Sequence, residues 1–90
     1  MPAPVDSNAD RLFQELDGRW IAAAGERWRT EVYSVSLEDG WHWMQIGLHG
    51  AKEHMLTLRA SQTSGIRQVI LALALWLTST EPRTTTLSLA

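Results

Sequence analysis

The sequence predicts a small α+β domain with two layers. A three-stranded antiparallel meander is packed by two helices in the order α-β-β-β-α, and a C-terminal edge strand can follow. Three observations predict this. Apolar residues recur at helical spacing near the N-terminus. A stretch rich in threonine, serine, valine and aromatic residues then flanks an Asp-Gly pair. A Leu- and Ala-rich run follows, again at helical spacing. Two helices covering one face of a meander is a common two-layer arrangement.

Residues 1–6 carry two prolines and small side chains, and read as a disordered lead. Residues 7–90 read as one domain. Asp6 or Ser7 can cap the first helix. Its apolar positions are Leu12, Phe13, Leu16 and Trp20, with Trp20 on the inward face. Gly18 interrupts the pattern, so the expected end lies between residues 17 and 23.

From Trp28 to Leu37 the composition turns β-rich, with Val32, Tyr33 and Val35 among threonine and serine. Glu38-Asp39-Gly40 predicts a tight hairpin, because Asp-Gly tolerates the positive φ angles such a turn needs. Trp41–Leu48 is the second strand, Gly47 and Gly50 bracket a turn, and the third strand runs from Lys52 or Glu53 to Arg59. Ile66, Val69, Ile70, Leu73 and Leu77 then follow at helical spacing. Leu71, Leu73, Leu75 and Leu77 also alternate as in a buried strand, but the length and the Leu/Ala content favour a helix. Glu81-Pro82 ends it, and Thr84–Leu89 is β-prone.

Strand parity divides the apolar residues. Met44, Ile46, Leu48, Leu56 and Leu58 fall on one face, expected under the helices. Trp41, Trp43, Met55 and Arg59 fall on the other. This leaves two tryptophans on an uncovered sheet. They form an aromatic platform for a peptide, a base or a sugar, or they are covered by the tail strand, a helix or a second subunit. Helical projection leaves Leu71 and Leu75 as an i, i+4 pair opposite the main apolar face of the second helix. The six candidate interface residues are therefore Trp41, Trp43, Met55, Arg59, Leu71 and Leu75.

Ninety residues without cysteine exclude disulfides, thiolate catalysis and cysteine-ligated metal sites. A net charge of −2 argues against nucleic acid or anionic membrane as a generic partner. The charge is uneven. Residues 1–40 hold eight acids and four bases, net −4, and residues 41–90 hold two acids and four bases, net +2. His42, His49 and His54 lack metal-ligand spacing, so no metal or cofactor is expected. His42 belongs at the margin of the core and His49 in a solvated turn. No serine sits in a Gly-x-Ser-x-Gly context, and Gly47-Leu48-His49-Gly50 lacks the lysine of a phosphate loop.

The order α-β-β-β-α is similar to that of double-stranded RNA-binding domains, a likeness of order alone. Such domains hold phosphates with lysines at the start of their second helix. Here Ser61–Arg67 supplies one arginine. No signal-peptide pattern stands in Met1-Pro2-Ala3-Pro4, and the apolar run Val69–Leu77 is too short to span a membrane. The expectation is a cytoplasmic, non-enzymatic binding or assembly module. Its partner would be a second copy of itself, as a homodimer, or another protein. An RNA-binding domain is the alternative, and a small enzyme comes last.

Overall fold

The computed structural model describes residues 7–61, 63–79 and 85–89, with side chains from Arg11 onward. Seven elements follow in order: α1 (Ser7–Leu16), β1 (Trp20–Ala23), β2 (Glu26–Glu38), β3 (Trp41–His49), β4 (Glu53–Ser61), α2 (Ile66–Thr78) and β5 (Thr86–Leu89). The expected three-stranded meander is replaced by a five-stranded mixed sheet, ordered β1-β2-β3-β4-β5 and curled into a half-barrel. The first four strands pair antiparallel, and β5 pairs parallel to β4 after the α2 crossover. The likeness in element order to double-stranded RNA-binding domains does not survive this correction.

The error lay at residues 17–25. The helix stops at Leu16 because tertiary partners take over its last groups. The Leu16 carbonyl accepts the Thr30 hydroxyl, Gly18 N–H donates to Thr30 O at 2.8 Å, and the Asp17 carboxylate accepts Val32 N–H at 2.9 Å. Trp20–Ala23 then alternates exposed and buried, which is a strand. Four residues are too few for that period to stand out, and Leu16 and Trp20 also fit helical spacing. Trp20 is consequently exposed, with the Arg27 guanidinium 4.5 Å from its ring centroid, rather than packed inward. Ala24-Gly25 closes the β1–β2 hairpin with both φ angles positive.

The Asp39-Gly40 turn stands where the sequence puts it. Glu38 pairs with Trp41, and φ is 53° at Asp39 and 80° at Gly40. The next turn is Gly50–Lys52, between the paired residues His49 and Glu53, and Gly47 lies inside β3. The hydroxyls of Ser61 and Ser64 lie 2.9 Å apart, while Gly65 occupies the N-cap of α2 without a side-chain cap. Asp6, Thr84 and the Glu81-Pro82 stop lie outside the described residues.

The core sits between the helices and the covered sheet face. Leu12 and Leu16 of α1 and Val69, Leu73 and Leu77 of α2 meet Ile21, Trp28, Val32, Met44, Ile46, Leu48, Leu56 and Leu58. α1 packs on β2, and α2 reaches β1 and β5. Trp28 lies within this core and donates its indole N–H to Ala23 O at 3.1 Å. Among the described residues, no helix is long and apolar enough to cross a membrane.

Candidate functional site

The six sequence-predicted residues do not form one site. Trp43 and Arg59 are cross-strand neighbours on the uncovered sheet face, and Trp41 lies beside them in β3. The Arg59 guanidinium carbon sits 4.0 Å from the Trp41 ring centroid and 5.6 Å from that of Trp43. The expected bare platform is thus already occupied. Both indoles are only partly exposed, with the Arg59 cation set against them. The indole N–H of Trp43 and Nε of Arg59 are screened from solvent with no hydrogen-bond partner among the described residues. A carbonyl or carboxylate oxygen is the group that would satisfy them. Met55 is 54% exposed on the same face, opposite Gly47 and two residues along β4 from Thr57.

Leu71 and Leu75 lie on a separate surface. Their relative exposures of 62% and 63% are the largest among the described bulky apolar residues. The buried positions of α2 are Val69, Leu73 and Leu77, so the pair falls on the solvent side as the helical projection requires. No charged residue occurs from Gln68 to Thr78 to solvate that side.

A third cluster was missed. His49 stands at the end of β3, half-buried, and not in a solvated turn. Its Nε2 is 3.2 Å from Glu31 Oε1 and 3.3 Å from the Tyr33 hydroxyl, and its Nδ1 is 3.5 Å from Glu53 Oε1. Tyr33 donates to Glu31 at 3.1 Å. Its phenol is held above the usual value of 10.0, first by desolvation against the sheet, then by the bond to Glu31 and the charges of Glu31 and Glu53. Gly47 makes room for this arrangement. A Cβ there would stand 2.8 Å from Tyr33 Cε2 and 3.0 Å from His49 Nε2. A glycine inside a strand pattern was the available signal. The eighteen-residue separation of Glu31 and His49 hid the rest.

This cluster borders an open cleft of about 500 Å³ lined by Asp17, Arg29, Thr30, Glu31 and His49. Both ring nitrogens of His49 already face carboxylates, so neither is free as a base toward the cleft. No group of three metal-ligating side chains occurs among the described residues. His42 is fully buried beneath the sheet, deeper than the core margin expected, and His54 stands between the rings of Trp28 and Trp76 at 5.4 and 5.5 Å. Neither His42 nor His54 opens into the cleft lining.

Comparison with protein-family models, curated proteins and solved structures finds no match.

Proposed function

We propose that the chain is a small non-enzymatic binding and assembly module. It associates with a second copy of itself, or with another protein, through surplus apolar surface. The observation that carries this reading is the exposed Leu71–Leu75 pair on a helix whose inner face is already satisfied. Large apolar side chains left in water on a helix face that carries no charge beyond Arg67 gain on the order of 1–2 kcal/mol each when covered. Such a face is a protein contact more readily than a solvated one. The Arg59 stack weakens the case for Trp41 and Trp43 as a free platform, so the weight moves to α2. A cytoplasmic setting belongs to the same proposal.

Sedimentation equilibrium at micromolar concentration tests it. The wild-type chain is expected to self-associate, and Leu75→Glu to associate less, with an unchanged circular dichroism spectrum. A wild-type monomer would remove self-association. A dimer indifferent to Leu75→Glu would remove the α2 face from the interface.

A further inference from the structure

β2 is longer than the strand beside it. β1 pairs only with residues 26–29 of β2, whereas β3 pairs with β2 from Arg29 to Glu38. Beyond β1, Thr30 N–H donates to Arg19 O, and the Asp17 carboxylate takes Val32 N–H. Past Val32 that side of β2 has no strand against it among the described residues.

The register shift between Val32 and Ser34 decides which groups face this open edge. Before the shift, even-numbered residues point toward β1, as Thr30 and Val32 show. A bulge adds one residue and inverts the parity. Glu38 and Trp41 close a two-residue hairpin and so exchange bonds with each other. Alternation then assigns Ser36 and Ser34 to the β3 ladder. Val35 and Leu37 are left with N–H and C=O directed outward.

We infer that this open edge pairs with the same edge of a second copy, antiparallel about a two-fold axis through Ser36, and joins the two sheets into one. The inference rests on the self-association reading above and supplies an interface distinct from α2. The segment is complementary to itself in this register. Val35 stands opposite the Leu37 of the second copy, and their outward backbone groups match. Both side chains lie on the covered face, beside Met44 and His42 in the ladder, so the pairing extends the core across the edge. Leu37, now 49% exposed, gains cover. Glu38 is the only charged residue from Tyr33 to Glu38, and it falls opposite Ser34 and not opposite its own copy. The run also lacks the lysine or proline that blunts edges in monomeric sheets. β1 and β5, at the two ends of the sheet, are four residues each and offer less to pair with.

The chain has no cysteine, so Ser36→Cys places one thiol on the proposed axis. Non-hydrogen-bonded antiparallel partners have Cα atoms about 4.5 Å apart, within the range a disulfide spans. Under mild oxidation Ser36→Cys is expected to cross-link to near completion, and Ser88→Cys, an exposed control on β5, to remain largely monomeric. Leu37→Lys, folded by circular dichroism, is expected to weaken dimerisation at least about tenfold by sedimentation. Absence of a cross-link in Ser36→Cys, or an undiminished Leu37→Lys dimer, overturns the edge pairing while a wild-type dimer leaves self-association standing. A monomeric wild-type chain overturns both.

Discussion

At Thr30 one buried hydroxyl joins three parts of the chain. It donates to the last carbonyl of α1 and accepts the Arg19 N–H at 2.9 Å, while its own backbone continues the β1–β2 pairing. Threonine in a β-rich segment is ordinary, so nothing in the sequence singles this one out. Tyr33 is the residue whose surroundings predict a pH response. Its folded-state pKa is raised, so the neutral phenol is favoured by folding. That stability is complete below the unfolded value near 10 and is lost as pH rises through the raised folded value. The melting temperature of the wild-type chain is expected to fall faster above pH 10 than that of Tyr33→Phe. Parallel curves would show that the phenol is not coupled to folding. The tryptophans divide in the same local way. Trp28 is core, Trp76 meets His54 edge-on, Trp20 lies under Arg27, and Trp41 and Trp43 share Arg59.

Among the elements, α2 shows most clearly how far periodicity reaches. The spacing of Val69, Leu73 and Leu77 is enough to place them inward and Leu71 and Leu75 outward, and the exposures agree. Leu73→Ala is expected to cost about 2–5 kcal/mol, because it opens a cavity among atoms that cannot close over it. Leu75→Ala is expected to change stability by less than about 0.5 kcal/mol in dilute monomer. Urea titration of the two variants measures the contrast, and equal losses would mean that Leu75 is packed. The same period failed at β1. There, four residues beside a helix inherited its spacing, and Ala22-Ala23-Ala24 has high helix propensity. Burial of Ile21 and Ala23 against the core overrode that preference. The Asp39-Gly40 hairpin was legible because its turn chemistry is local. The Ala24-Gly25 hairpin was not, since alanine carries no signal for a positive φ.

For the whole molecule, strand order sets which backbone groups are spent. β3 and β4 are flanked on both sides over much of their length, whereas β2 beyond Val32 is flanked on one. Amide hydrogen exchange in dilute solution is expected to show Met44 and Ile46 strongly protected, and Val35 and Leu37 exchanging fast. Raising the concentration should slow the latter pair if edges associate. Protection of Val35 and Leu37 equal to that of Ile46 at low concentration would show the edge covered within one chain. The candidate surfaces divide along the same line. The outward pair on α2 was visible in advance. The His49 cluster and the open β2 edge depend on register.

The sequence by itself determined the periods: a helix at α2, alternation through β3 and β4, and the Asp39-Gly40 turn between β2 and β3. These are properties of neighbours one to four residues apart, which side-chain geometry reads directly. Only the tertiary structure decided that α1 ends at Leu16, that Trp20–Ala23 and Thr86–Leu89 complete a five-stranded sheet, and that Arg59 covers Trp41 and Trp43. Partners distant in the chain settle these outcomes: Thr30 for the end of α1, α2 over β1, and β4 for both β5 and Arg59. Burial and hydrogen bonding to such partners outweigh a local preference of a few tenths of a kcal/mol per residue, roughly the scale on which helix and strand propensities differ.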